Sequence, residues 1–222
     1  MMTTEMRQER EAGFTLTELI VSMSIFLVVL TVFISGLISM SRATMRAQDV
    51  TDAGDSVRAA FQTMDKQVRY ASSINFPGTG TSGSYYVEFI TEAQPDGQDP
   101  LCTQWRYDPT ARTLAYRKWR DVSGGTVSPW LNVASDVRNT LGGASPNPPF
   151  TLVRAGASYV RQELVVSVDA GRGAEGANAV IGADIGTVFV ARNSSASSQS
   201  NADTNSDNVS DTPVCTSHLE RP

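Results

Sequence analysis

The chain has 222 residues, a formal net charge of −5 and 18% charged residues, a balance without the electrostatic footprint of a general nucleic-acid-binding protein. The sequence contains no Gly-x-Ser-x-Gly elbow, phosphate-binding loop or Cys-x-x-Cys pair, which argues against an enzyme. Its single histidine, His218, is expected to face solvent, and a lone histidine makes a weak metal site.

An uncharged run occupies residues 19–41, with only serine, threonine and one glycine among its apolar residues. As a helix it would extend over roughly 34 Å, against about 30 Å for the hydrocarbon core of a bilayer. No Ala-x-Ala-like cleavage site follows Met40, as it would in a secretory signal peptide. The run therefore predicts a membrane-spanning helix.

A carboxylate stands at the entrance of this run, within the sequence GFTLTELI at residues 13–20. Carrying a carboxylate into the apolar part of a membrane costs on the order of 3 kcal/mol even on lenient scales. The positive end of a helix offsets only about 0.3 to 1 kcal/mol of that cost. Glu18 therefore either has a charged partner or simply marks where the helix leaves water.

The order Gly-Phe-Thr-Leu-x-Glu before an apolar helix resembles the processing site of the type IV pilin superfamily. The matching residues are Gly13, Phe14, Thr15, Leu16, Glu18 and Leu19. The resemblance implies that a prepilin peptidase cleaves between Gly13 and Phe14, removes the leader 1–13 and methylates the new amine. It also implies that Glu18 pairs with the Phe14 amine of a neighbouring subunit, in a low dielectric where an ion pair matters most. In one departure from many such leaders, three glutamates outnumber two arginines.

Beyond residue 41 the apolar residues recur at spacings of three, four and seven, which indicates an amphipathic helix. They are Val50, Val57, Phe61, Met64 and Val68. Because no proline occurs between Phe14 and Phe76, the sequence predicts one helix of about 90 Å over residues 14–73. Residues 14–41 would form its transmembrane or filament-core half, and residues 42–73 its amphipathic half.

A Gly/Thr/Ser cluster after Pro77 ends the helix, and segments rich in β-branched and aromatic residues follow. The predicted strands are residues 85–90, 101–107, 113–119, 130–134, 150–154, 159–168 and 185–191. Turns at Asp108-Pro109 and at residues 169–173 predict two hairpins, hence an antiparallel meander in a domain at 74–193. Residues 137–141 predict either a short helix or an irregular loop. The expected fold class is α+β, with the long helix packed against an antiparallel β-sheet domain, the lollipop layout of pilins.

Three short segments also resemble the minor pilins and the J-type pseudopilins of type II secretion. They are Arg69-Tyr70-Ala71, Arg106-Tyr107-Asp108 and Ala191-Arg192-Asn193. Together with the size of the chain, these matches favour a minor component over a major pilin.

The two cysteines, Cys102 and Cys215, are consistent with one disulfide in an oxidising extracytoplasmic space, and two unpaired buried thiols are the alternative. Residues 194–222 are rich in Ser, Asn, Asp and Thr, which predicts a solvated polar C-terminal tail that cannot offset its ordering entropy by burial.

Within this tail, oxygen ligands recur at the spacing of the first half of a calcium loop. They belong to Asp203, Asn205, Asp207 and Asp211. Asn208 stands where glycine is expected and tolerates a left-handed backbone, but Val214 replaces the bidentate glutamate. A solvated tail and a calcium-ordered segment both remain open.

The stretch at residues 116–120 alternates aromatic and basic residues and invites a DNA-binding interpretation, because aromatic rings stack on single-stranded bases. On a strand, however, its charges divide between two faces. An ordinary strand with one buried aromatic face and solvated arginines is therefore favoured, and nucleic acid is not expected as a partner.

The sequence thus predicts a structural subunit of a type IV pilus or type II secretion filament, with calcium as the one candidate cofactor. Before assembly its helix would lie in the cytoplasmic membrane with the domain outside the cytoplasm. Its partners would be the prepilin peptidase and other pilin or pseudopilin subunits. The alternatives are a pilus-borne adhesin or DNA-uptake module and a signal-anchored extracytoplasmic enzyme.

Overall fold

The structure, a computed structural model, describes residue 13 and residues 15–95, 97–172 and 181–222; residues 1–12 of the predicted leader and Phe14 lie outside the described residues. The chain forms two compact units, one up to Arg46 and one from Ala47 onward. The elements are α1 (Leu16–Val68), β1 (Ser73–Ile74), β2 (Gly78–Thr79), β3 (Tyr85–Thr91), β4 (Leu101–Asp108), β5 (Thr113–Arg120), β6 (Leu131–Ala134), β7 (Phe150–Val153), β8 (Glu163–Arg172) and β9 (Ile181–Val190).

Helix α1 ends at Val68, five residues before the predicted end. Beyond the helix, the backbones of Ser73 and Ile74 pair with those of Ile90 and Phe89 in β3. The predicted long helix is thus confirmed, but it ends about one turn early, and a short edge strand follows at Ser73–Ile74.

The strands form two antiparallel sheets instead of the single predicted meander. The first sheet has the order β1-β3-β4-β5-β6 with β2 also paired to β3, and the second has the order β7-β8-β9. Each of the seven predicted strand segments overlaps a strand, and the Asp108-Pro109 hairpin joins β4 to β5. Within each sheet, most neighbouring strands are also consecutive in the chain. The local hairpin signals in the sequence therefore did not reveal that the first sheet ends at β6 and a second begins at β7.

The second predicted hairpin is confirmed as a pair of strands, because β8 pairs with β9, but the predicted position of its turn, at residues 169–173, is wrong. Asp169, Ala170 and Gly171 lie inside β8 and pair with residues of β9. Residues 137–141 form an irregular segment, in which Val137 makes an isolated bridge to Ala170. The backbone of Arg138 also donates to the carbonyl of Asp169, at 2.7 Å. Val137 and Arg138 therefore lie beside Asp169 and Ala170 of β8, where the sequence predicted a turn.

The amphipathic part of α1 buries its apolar stripe against both sheets. Its buried stripe residues are Val57, Phe61, Met64 and Val68, whereas Val50 is 39% exposed. They share one core with residues of the first sheet, such as Trp105, and of the second, such as Phe189. The rings of Phe61 and Phe189 meet edge to face, 5.8 Å apart.

Residues 194–222 are not a solvated tail. Cys102 and Cys215 form a disulfide, the pairing that the sequence predicts. The disulfide belongs to a second apolar cluster with Ile90, Trp119 and Val214. These strand residues alternate with those of the main core, so the last part of the chain covers the opposite face of the first sheet.

Polar side chains fix the rest of this segment by hydrogen bonds. Ser200 is buried and its hydroxyl lies 2.6 Å from that of Ser73. Buried Asn201 accepts from the backbone nitrogen of Ala155 and donates to its carbonyl, both at 2.9 Å. The ordering entropy of the segment is offset by satisfied polar groups, which composition alone does not reveal.

The covered face also contains a carboxylate. The side chain of Glu88 is fully buried, and Arg221 donates to it from Nη2 at 2.6 Å and from Nε at 3.0 Å. Gln104 donates to the same carboxylate at 2.8 Å, and Asn75 donates at 3.4 Å. The buried charge is therefore paired and hydrogen-bonded.

Replacing Arg221 by Met should destabilise the protein by about 3 kcal/mol, because it leaves the Glu88 carboxylate buried without its cation. Adding Glu88→Leu should recover a large part of that loss. The matched control is Arg58→Gln, since the Arg58–Asp55 pair is exposed and its loss should cost less than about 0.5 kcal/mol. Urea unfolding of the full chain in detergent measures all three, and equal losses for Arg221→Met and Arg58→Gln would contradict the role of this pair.

Removing the disulfide with Cys102→Ser and Cys215→Ser should lower stability by at most about 4 to 5 kcal/mol, since the bridge closes a loop with a sequence separation of 113. Limited proteolysis should then cleave within residues 194–222 first. Rapid alkylation of both thiols in the native, unreduced protein would show that the bridge does not form.

Candidate processing and assembly site

The first turn of α1 is capped by Thr15. Its Oγ1 accepts from the backbone nitrogen of Glu18 at 3.3 Å, and its carbonyl accepts from that of Leu19 at 3.1 Å. Threonine is a favoured N-cap residue, and Thr15-x-x-Glu18 has the spacing of a capping box. This capping role is a second function of the motif, and the Thr-x-x-Glu spacing is the sequence signal for it.

Gly13 lies exposed just before this cap. A Cβ atom added at Gly13 would meet nothing within 4 Å among the described residues. The packing of the chain therefore does not require glycine at this position. Phe14, the predicted new terminus, lies outside the described residues.

Glu18 lies exposed in the first turn of α1. A shallow surface depression around it is lined by Thr15, Thr17, Val21, Ser22 and Ile25. Among the described residues no cation forms an ion pair with its carboxylate. Within its own helical turn, the Glu18 carboxylate is therefore stabilised by the positive end of the helix dipole and not by a cationic side chain.

The apolar run after Glu18 is uncovered. Every large apolar side chain from Leu16 to Met40 is exposed, and the most apolar 18-residue window has a mean hydropathy of 2.5 with no buried share. By length and composition, α1 is the one described helix able to cross a membrane. Water is a poor environment for such a surface, so a lipid or protein partner is required.

Four of the hydroxyl groups within this run bond to the helix itself. Ser24, Thr31 and Ser35 each donate to the carbonyl four residues earlier, at 2.7 to 2.8 Å. Ser22 donates to the carbonyl of Leu19 at 3.0 Å. Because these polar groups are satisfied within the helix, they do not oppose its transfer into an apolar environment.

The candidate calcium segment holds itself together. The Asp203 carboxylate accepts from the backbone nitrogens of Asp207 and Asn208 at 3.1 and 3.2 Å, and that of Asp211 accepts from Thr204 at 2.9 Å. Asn208 has the left-handed backbone expected there, with φ of 61°. In the described ranges no group of three acidic, histidine or cysteine residues is arranged to hold a metal ion. Calcium binding through Asp203, Asn205, Asp207 and Asp211 stays a prediction.

The basic and aromatic stretch of β5 is engaged within the domain. Arg117 donates to Gln104 at 2.6 Å, and burial lowers the pKa of both Arg117 and Lys118. Trp119 is buried and its ring meets His218 edge to face at 6.3 Å, so this histidine is half-buried and the prediction that it faces solvent is wrong.

The segments that resemble pseudopilins lie partly together. The backbone nitrogen of Arg192 donates to the carbonyl of Arg69, and the Asn193 side chain donates to that of Tyr70, both at 3.1 Å. In the remaining segment, residues 106–108, the Asp108 carboxylate accepts from the backbone nitrogens of Thr110 and Ala111 and so closes the β4–β5 turn. The end of the helix is thus tied to the end of the last strand.

A family model described as the prokaryotic N-terminal methylation motif matches residues 9–34. Neither a curated protein nor a solved structure matches the chain. The matched residues contain Gly13, the cap at Thr15, Glu18 and much of the exposed apolar run. The chain therefore carries the N-terminal methylation motif that is the signature of type IV pilins.

Proposed function

We propose that this chain is a minor pilin or pseudopilin, a structural subunit of a type IV pilus or type II secretion filament. The observation that carries the proposal is the methylation motif at residues 9–34 opening an apolar helix with no buried residues up to Met40. The motif is typical of structural subunits and not of an enzyme family.

The uncovered run explains why two environments suit the same helix. Before assembly, lipid would cover it in the cytoplasmic membrane, with the disulfide-bonded domain in an oxidising extracytoplasmic space. After assembly, the apolar helices of neighbouring subunits would replace the lipid. Since both environments are apolar, close packing and the few polar contacts decide the exchange.

Processing at Gly13 would create the partner that Glu18 lacks. A cut after Gly13 leaves the Phe14 amine as a cation at the start of the chain. In a filament core, an unpaired carboxylate is strongly disfavoured, and the amine of an adjacent subunit would neutralise it. The carboxylate would thus penalise any packing that does not bring a processed neighbour to the correct position.

The minor or pseudopilin role is supported by the contact between residues 69–70 and 192–193, which unites two segments that resemble J-type pseudopilins. Within the described residues the arginines of β5 already have partners in the domain, which gives the nucleic-acid alternative no support.

Gly13→Val should abolish removal of residues 1–13 and methylation of Phe14 when the chain is coexpressed with a prepilin peptidase. The fold should be unchanged, because a Cβ at this position meets no described atom within 4 Å. Gly36→Val is the matched control, since Gly36 has the same open surroundings, and this variant should be processed normally. Intact-mass measurement checks both; an uncut parent chain, or a cut beyond Met40, would contradict the proposal.

Glu18→Val should still be inserted and processed, because it makes the helix more apolar. Its incorporation into filaments should fall at least tenfold, the effect of about 1.4 kcal/mol, since the neighbouring amine loses its counter-ion. Ser22→Val removes a polar group one turn away without changing charge, so it should assemble like the parent.

The readout is the amount of each variant in sheared filaments relative to its amount in the membrane. Normal incorporation of Glu18→Val would show that the carboxylate is incidental to assembly.

A further inference from the structure

Two arginines follow directly after the uncharged run. Arg42 and Arg46 are four residues apart and line one side of α1 together with Ser35 and Ser39. Both arginines are exposed, and in the described part of the chain neither forms an ion pair. Like charges at this spacing repel each other, so the pair favours an anion from outside the chain.

The position of this pair along the helix matches the thickness of a bilayer. Glu18 and Arg42 are 24 residues apart in one continuous helix, hence about 36 Å along its axis. The hydrocarbon core is about 30 Å thick, and the phosphate groups lie just outside it. Arg42 at one phosphate plane therefore leaves Glu18 at the opposite interface, outside the hydrocarbon.

We propose that Arg42 and Arg46 bind the phosphate groups of anionic lipids in the outer leaflet while the chain is held in the membrane. This inference rests on the proposed function, which supplies the membrane. A guanidinium group donates two parallel hydrogen bonds to a phosphate, and two such groups on one helix face can hold adjacent headgroups. The free side of the helix carries hydroxyls below the arginines, which suits the glycerol and ester region of a lipid.

These contacts fix the depth of the helix before assembly. With both arginines on phosphates, the Glu18 carboxylate remains hydrated at the inner interface, and Gly13 is on the cytoplasmic side. Withdrawal of the subunit then breaks the two phosphate contacts and carries Glu18 into the apolar core. The membrane-held state is thus stabilised at both ends of the run, and the Phe14 amine of a neighbour is required for the transfer.

The test uses the full oxidised chain, whose two cysteines are both in the disulfide, so that an introduced cysteine can be labelled alone. A fluorophore on Ala43→Cys is reconstituted in phosphatidylglycerol–phosphatidylcholine vesicles that contain a trace of either nitroxide-labelled lipid. Quenching by labelled phosphatidylglycerol should exceed that by labelled phosphatidylcholine by about fivefold. In Arg42→Gln/Arg46→Gln the ratio should fall to one.

Arg58→Gln is the matched control, because Arg58 lies on the same helix but pairs with Asp55, and it should keep the parent ratio. Equal quenching by both lipids in the parent chain would overturn the inference. A label on Leu30→Cys separates this failure from failure of the proposed function. If that label is shielded from water while the lipids quench equally, only phosphate binding is overturned; if it is accessible to water, membrane insertion is overturned as well.

Discussion

The uncovered apolar surface between Leu16 and Met40 limits the environments that α1 can occupy. The hydroxyls of Ser22, Ser24, Thr31 and Ser35 are bonded to the helix backbone, which lowers the polar cost of moving this surface into an apolar environment. The exception is Glu18, whose carboxylate has no ion-pair partner among the described residues. A partner from outside the chain must therefore satisfy both the apolar surface and one charge.

In the unit from Ala47 onward, both faces of the first sheet are covered. One face packs on the stripe of α1, and residues after 194 cover the other through the disulfide and the Glu88–Arg221 pair. This arrangement gives the domain two separate sources of stability. The helix side is held by the main apolar core, whereas the other side combines a smaller apolar cluster with the disulfide and the ion pair.

The contiguous and periodic features of the molecule could be predicted from the sequence. The methylation motif and the stripe at Val57, Phe61, Met64 and Val68 each lie within one segment, so local spacing sufficed. The covering segment could not be predicted, because Ser200 and Asn201 are buried through distant hydrogen bonds that leave no mark on composition. The burial of Glu88 could not be predicted for the same reason. In an alternating strand a glutamate is expected on the exposed face, but distant Arg221 covers and pairs with this one.

The proposed function requires that the processed terminus of an adjacent subunit neutralise Glu18. Cryo-electron microscopy of filaments that contain this chain tests it most directly, through the distance between the Glu18 carboxylate and the nearest N-terminal amine. We expect the methylated Phe14 amine of a neighbour within about 4 Å of this carboxylate, in a core without water. A carboxylate facing solvent, or an intact leader within the filament, would contradict it.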